Sequence, residues 1–440
     1  MYKKCLSLLT CTILVLTTTG CSGKKSKQAS SSFENSNKQV QSNFESVNST
    51  YGPLSSATDS SFDQEQIISL RVQGADIETE LMTKMIDEFC TYYADQATFD
   101  IQFEGISEEN MRNTVLLNLD TAADVFTFPD DQLISFIISG ALEPLTNIDF
   151  LESSFTEESI NACSYNNITY AYPLTSGNGY FLYYNSNYYN KSDVKTMDQI
   201  LKIAEKSGKR VAIQLDAGWY LYSFFGVEGL RLELLPNGIK NECNWNSTKT
   251  EIKGVDIGLA IADIIKSPAF LNCEEPQMLE EIKNGDVIAC INGIWNSSVI
   301  EKGWGDGFAA TKLPTYTCAN QQIQMQSFNG YRCLGVNKYS KQREWATKLA
   351  AWLVSEENQR TRYEIHGQVP CNKSVATSVD ADKFPAIHAF YEQAPFGVLQ
   401  RVGNNYWQAA NTFVNTLLSK DYKESELQYY LDVMVNEIIS

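Results

Sequence analysis

The sequence predicts an α/β protein of two lobes, each a sheet flanked by helices. Three observations carry this. Strand and helix patterns alternate from Ile67 as strand, helix, strand, helix, strand, an order that argues for a parallel sheet with crossover helices. The chain has 440 residues, and the part after Phe62 is too long for one ordinary core. The stretch Ile282 to Tyr316 holds a continuous apolar run, Val287 to Ile291, broken by Asn292-Gly293 and followed by Trp295. It reads as a buried strand that delivers a large flat ring to its exit loop.

The elements follow from periodicity. Ile67 to Val72 alternates as a strand. Ile77, Leu81, Met85 and Phe89, joined by Met82 and Ile86, form a helical stripe over Ile77 to Tyr93. Phe99 to Phe103 is a strand, Glu108 to Leu119 a helix, and Ala123 to Phe128 a strand ending at Pro129. A strand enters Pro173, a polar patch follows over Thr175 to Gly179, and Tyr180 to Tyr184 is a strand again. That patch makes a natural hinge. Thr196 to Gln199 is a capping box for the helix Met197 to Ser207, and Ser425 to Gln428 a second one for the last helix. Arg210 to Gln214 is a strand, and Phe308 to Leu313 is a second apolar run that ends at Pro314. Asp256 to Lys266, Pro276 to Asn284, Glu344 to Val354 and Tyr406 to Leu418 are helices, and Ser355-Glu-Glu starts another. Ser327 to Gly330 reads as a turn before a strand at Arg332 to Val336, and Lys312 to Gln326 as the second crossover between lobes.

The N-terminus is read separately. Lys3 and Lys4, the apolar run Leu6 to Leu16, small residues and Gly20-Cys21 form a secretory leader, 1–20, too short for a membrane span. Leu16-Thr-Thr-Thr-Gly-Cys21 resembles a lipobox with Thr18 where leucine is usual, which makes Cys21 the lipidated first residue of the mature chain. Residues 21–62 are rich in Ser, Asn, Gln and Lys and read as a disordered tether.

The formal charge of −18, or −20 once Lys3 and Lys4 leave with the leader, argues against nucleic acid and anionic membranes as partners. Of the 11 cysteines, eight remain after Cys5, Cys11 and Cys21 are set aside. Outside the cell an even count invites disulfides, while life without oxygen leaves them free. Cys90 and Cys290 fall inside apolar patterns and read as core thiols. No CxxC suggests zinc.

Ligands of such sheets bind beyond the carboxyl ends of strands, which draws attention to Gln73–Asp76 and to Phe128-Pro-Asp-Asp131-Gln132. Asp130 and Asp131 have a second reading, as charge at a helix N-terminus. Trp295 has two as well, a core plug or a platform for a partly apolar, hydroxyl-rich ligand. There is no GxSxG, HExxH or P-loop, and His366 and His388 are the only histidines. Asp130 and Asp131 share one loop rather than flank a bond, so a glycosidase or lyase site is thinly supplied.

Taken together, Asp124-Val-Phe, Ser139-Gly-Ala-Leu-Glu-Pro144, Tyr172-Pro173, Leu182-Tyr-Tyr-Asn185, Ile291-Asn-Gly-Ile-Trp295, Ser327-Phe-Asn-Gly330, Ala350 to Gln359 and Val369-Pro-Cys-Asn372 resemble bacterial extracellular solute-binding proteins of the sugar-binding cluster, whose best-known type binds maltodextrin. The resemblance implies a periplasmic-binding-protein-like fold with crossover hinges and the ligand in an interlobe cleft. It implies lobe 1 at 63–174 and 320–385, and lobe 2 at 175–319 and 386–440. It also implies a monomer, not an enzyme and without a cofactor, lipid-anchored on the outer face of the bacterial cytoplasmic membrane, that delivers a sugar or oligosaccharide to an ABC permease. By position, Phe128, Asp131, Gln132, Asn178, Trp219 or Tyr220, Trp295, and Tyr406 or Trp407 become the ligand-binding candidates. Gln132 stands where sugar binders place arginine, and none of Ser176 to Asn178 is acidic where maltodextrin binders have an acid. A polyamine or peptide on the same scaffold is the alternative ligand, and an extracellular carbohydrate-active enzyme the remoter one.

Overall fold

The computed structural model describes residues 67–440 apart from Asn237. The leader, Cys21 and the tether lie outside the described residues. Strands β1 (Ile67–Gly74), β2 (Thr98–Gly105) and β3 (Val125–Pro129) run parallel, with β1 between the other two. The helix Thr79–Tyr92 connects the first two strands and Glu108–Leu117 the next two, so the crossover order is as expected. Leu81, Met82, Met85, Ile86 and Phe89 are buried. Each such side chain contributes about 1.5–3 kcal/mol on leaving water. Ile77 departs from the stripe: it lies in a 3-10 turn, Asp76–Glu78, and is 86% exposed.

A short ribbon, β4 (Ser164–Tyr165) and β5 (Ile168–Thr169), precedes β6 (Tyr172–Asn185), the longest strand. The expected hinge patch does not interrupt β6. Instead Gly177, at φ +131°, is an unpaired extra residue within it. Glycine is needed there because an L side chain rarely adopts that φ. Next come β7 (Arg210–Ala212), a ribbon of β8 (Leu232–Leu234) and β9 (Asn241–Cys243), then β10 (Phe270–Leu271), β11 (Val287–Gly293) and β12 (Phe308–Thr311). Every residue of β11 is buried, which explains its continuous apolar run: it lies between β7 and β6.

The segment Lys312 to Gln326 is not a crossover. It folds as a ribbon, β13 (Thr315–Cys318) and β14 (Gln321–Gln324), turned by Ala319 and Asn320 at positive φ. Thr317 donates to Asp198, and Tyr316 to the carbonyl of Phe224, which pins the ribbon to the second half of the molecule. The crossover is made by β15 (Ser327–Val336), a single strand where a turn and a strand were expected. β16 (Gly397–Leu399) pairs with its start. The sheet order is β10-β7-β11-β6-β15-β3-β1-β2, with β12 beside β6. β6 and β15 therefore run through both half-sheets, one made of β1–β3, the other of β7, β10, β11 and β12.

Caps divide by geometry. Thr196 accepts from Gln199 N and Ser355 from Asn358 N, as the sequence suggests. Ser425 instead falls inside a 3-10 turn, Glu424–Glu426, before the helix Leu427–Ile439, and caps nothing. Cys290 is fully buried, while Cys90 is only half-buried.

Candidate functional site: the groove at the crossover

Strand register locates the site. β3 ends at Pro129, opposite Arg332 of β15, and β11 ends at Gly293, opposite Tyr180 of β6. Between these positions β6 and β15 pair with each other, Asn329 with Gly179, Gly330 with Asn178 and Tyr331 with Ser176. The carboxyl ends of both half-sheets thus approach one short stretch of the crossover from opposite sides. Loops at such ends are where α/β sheets place ligands.

On the second-half side, Trp295 sits in the turn Ile294–Asn296 directly after β11 and is 48% exposed. Half-exposed, it is not a core plug. Its ring lies over Gly293, where an added Cβ would meet three ring carbons at 2.2–2.3 Å. Its Nε1 donates to Glu275 at 2.9 Å, and the Asn292 carbonyl accepts from Asn296 Nδ2 at 3.0 Å to hold the turn.

Trp219 lies on the helix Gly218–Phe225, after the loop that follows β7. Its indole is near-parallel to Trp407, with centroids 6.5 Å apart at 24°, and rests on Phe328 of the crossover strand at 5.3 Å. Trp219 Nε1 and Asp216 Oδ1 are buried and find no hydrogen-bond partner among the described residues. An unpaired buried group of this kind costs about 1–3 kcal/mol.

The structure decides between the paired aromatic candidates. Tyr220 is buried with its ring 4.9 Å from Tyr180, and burial, with Glu275 adding to it, pushes its phenol far above the ordinary range. Tyr406 is fully buried, and its hydroxyl donates to Gly218 O at 2.6 Å. Both are braces for the helix that carries Trp219, not ligand faces. Asn411, one turn beyond Tyr406, accepts from Gly218 N at 2.6 Å and holds the same helix start.

On the first-half side, Phe128 is corrected outright. It is wholly buried, with its ring 4.8 Å from Phe136 and 5.7 Å from Phe126. Alternation along β3 turns it to the helix-covered face, so no ring face is left for a ligand. Asp131 is exposed and Gln132 half-buried in the turn Asp130–Gln132. Asp130 is neither helix charge nor an open acid. It is 3% exposed, accepts from Tyr331 N at 2.8 Å, and lies 3.7 Å from Arg401 Nε. Burial pushes its carboxyl up to about 7, against the Tyr331 N–H and Arg401.

Two further features lie on this side. Glu78, in the turn after β1, is buried and accepts from Arg332, Arg362 and Gln368 at 3.1, 3.0 and 2.7 Å. Burial raises its carboxyl, but Arg362, Arg332 and Gln368 outweigh that and hold it below its ordinary value. Arg401 donates to Ala162 O and Ser164 O at 2.7 and 3.2 Å and lines a cavity of about 550 Å³ with Asn161, Asn166 and Ile168.

In the crossover itself, Asn178 is exposed and its amide donates to Gln400 at 3.3 Å. The halves also touch where Tyr165 OH donates to Pro236 O at 3.5 Å. Asp216, Glu275, Gln400, Arg401 and Asn411 were not singled out from sequence. Asn411 is a polar position inside the periodic helix Tyr406 to Leu418, where periodicity does not mark it, and only Asp216, three residues before a Trp and after a strand, carried a local hint.

A family model described as "Bacterial extracellular solute-binding protein" matches residues 84–390. The chain belongs to this family. Its members are binding proteins, and the chain is one rather than an enzyme. A galactooligosaccharide-binding protein of Bacillus subtilis (strain 168) is 26% identical over 410 residues, covering 90% of this chain and 87% of that one. Among solved structures, the maltodextrin binding protein MalE1 from L. casei BL23 without ligand is 22% identical, with TM-score 0.74 over 85% of this chain and 99% of that one. A cyclo/maltodextrin-binding protein complexed with maltotetraose is 20% identical, with TM-score 0.71 over 86% and 99%. The fold is therefore the two-lobed one of maltose-binding-type proteins. Among the described residues no helix is long and apolar enough to cross a membrane, and no group of side chains could hold a metal ion.

Proposed function

We propose that the protein is the substrate-binding component of an ABC importer, that it takes a sugar or oligosaccharide in the crossover groove, and that it delivers it to a permease. The observation that carries this reading is the presence of the exposed Trp295 and the half-buried, near-parallel Trp219–Trp407 pair together with the buried, unpartnered Trp219 Nε1 and Asp216 Oδ1. Pyranose rings offer apolar C–H faces to the indoles and hydroxyls to the polar atoms, and satisfying the latter recovers what their burial costs. The ligands named for the relatives, galactooligosaccharide and maltotetraose, are of this class. The absence of a guanidinium at Gln132 and of an acid at Asn178 favours the former over a maltodextrin clamp.

Ligand bridging the two halves would shift the protein toward a closed form by bending β6 and β15 at Gly177. In this reading a lipid on Cys21 and the tether 21–62 hold the binding body near the permease at the outer face of the membrane, as a monomer. The test is isothermal calorimetry and thermal shift with galacto-oligosaccharides, maltodextrins and spermidine. A saccharide at a hundred times its Kd stabilises by about 2.7 kcal/mol. Response to spermidine with none to any saccharide would refute the sugar reading in favour of a polyamine.

A further inference from the structure

Cys163 closes the helix Glu157–Ala162, and Cys333 lies in β15 one residue after Arg332, opposite Phe128 of β3 and Pro173 of β6. Both are fully buried, and their sulfurs are 3.2 Å apart although 170 residues separate them in the chain. That is closer than two unbonded sulfurs need to sit, and about 1.2 Å longer than a disulfide bond. Side-chain motions alone cover such a difference. A third thiol, Cys371, is near enough to be felt by both, but its own partner is Ser159. Nothing in the proposed ligand groove uses this pair.

We propose that Cys163 and Cys333 form a disulfide that pins the crossover strand to the first half of the molecule. The bond forms by exchange with a low-molecular-weight disulfide such as oxidised glutathione. One protein thiolate attacks the external disulfide and expels one small thiol. The second protein thiolate then attacks the mixed disulfide and expels the other, so two protein thiols are oxidised and one external disulfide is reduced to two thiols. Burial pushes both thiols up once the chain is folded, Cys333 well above its ordinary range. The exchange therefore belongs to the folding chain outside the cell, and the finished bond is shielded from reductants. A link across 170 residues restricts the unfolded chain strongly. It would also fix one end of the strand that bends at the hinge, leaving the motion to the segment around Gly330 and Gly177.

The experiment uses the full chain secreted by a bacterial host, and the same chain refolded in a mixture of reduced and oxidised glutathione. Each sample is alkylated in denaturant with and without prior reduction, then mapped by mass spectrometry. The expected result is a Cys163–Cys333 linked peptide in the refolded sample, with two fewer alkylated thiols before reduction than after. Full alkylation of both residues without reductant overturns the proposal, as does a bond from either of them to Cys371. The melting temperature should fall on reduction in the native chain and not in the Cys163→Ala, Cys333→Ala double variant. A fall that persists in the double variant would assign the effect elsewhere and overturn it too.

Discussion

Trp219 and Trp407 lie nearly parallel, 6.5 Å apart at 24°, and both rest on Phe328, the aromatic residue that β15 carries into the second half-sheet. Crossover strand and aromatic platform are therefore mechanically one object. Under the proposed function, a ligand that presses on this pair would press on the strand that joins the halves.

Trp407→Ala removes one indole of that pair and should raise the Kd for the saccharide ligand roughly thirtyfold, the about 2 kcal/mol of a binding hot spot. Trp219→Ala should weaken binding at least as much and also lower stability, because the ring is packed against Tyr180 and Phe328. Calorimetry with denaturant melts separates the two effects. Unchanged Kd in both variants would remove the platform from the site.

Trp295 and Gly293 give a matched test. Trp295→Ala should weaken binding while leaving the melting temperature nearly unchanged, since the ring is 48% exposed. Gly293→Ala has an ordinary backbone, φ −76°, but its Cβ would collide with the indole. It should reproduce the binding defect by displacing the ring, at about 1–3 kcal/mol of stability. Normal binding by Gly293→Ala would show that the ring position is immaterial.

Two buried acids predict opposite pH responses in different windows. Asp130 is pushed up from an ordinary 3.8 to about 7, so between those values the folded state holds the proton more tightly than the unfolded chain. Stability should then fall as pH rises through that window, by about 4 kcal/mol in total, and Asp130→Asn should flatten the fall. Glu78 is held below its ordinary 4.5, so its contribution is present above that value and is lost as pH falls through the lower folded value. Glu78→Gln should remove this acid loss and, by leaving Arg362 buried without its anion, cost about 3–5 kcal/mol at neutral pH. Urea melts from pH 2 to pH 8 read both, and parallel curves for native and Asp130→Asn chains would refute the first.

Gly177→Ala isolates the hinge. The nearest atom to an added Cβ is Val369 Cγ2 at 3.4 Å, an ordinary contact, so space is available. The cost comes from φ +131° and should be about 1–3 kcal/mol. Small-angle scattering should show the native chain becoming more compact with saccharide and the variant changing less. Identical native profiles with and without saturating ligand would sink the closure.

Much of this architecture was legible in the residues. Alternation at Ile67 to Val72, the stripe from Leu81 to Phe89 and the apolar run of β11 are local periodic signals, and each element stands where they put it. Errors fell where a local signal has two tertiary outcomes. Ser327 to Gly330 reads as a turn, yet pairing with β6 and β16 on either side makes it strand. Lys312 to Gln326 is long enough to cross between lobes, yet its hydrogen bonds to Asp198 and Phe224 fold it back.

By itself the sequence determined most of the order of elements and the two-lobed α/β class, because these follow from short-range periodicity and chain length. Only the tertiary structure decided which side chain of each candidate loop is buried and which is left accessible. Neighbours such as Trp219 and Tyr220 point about 100° apart on a helix, and packing of the helix Asn405–Ser419 against Gly218 leaves the first half-buried and the second buried. Likewise Phe128 faces inward because helices cover that side of β3. Asp130 and Arg401, remote in sequence, became partners only once β15 had brought their loops together.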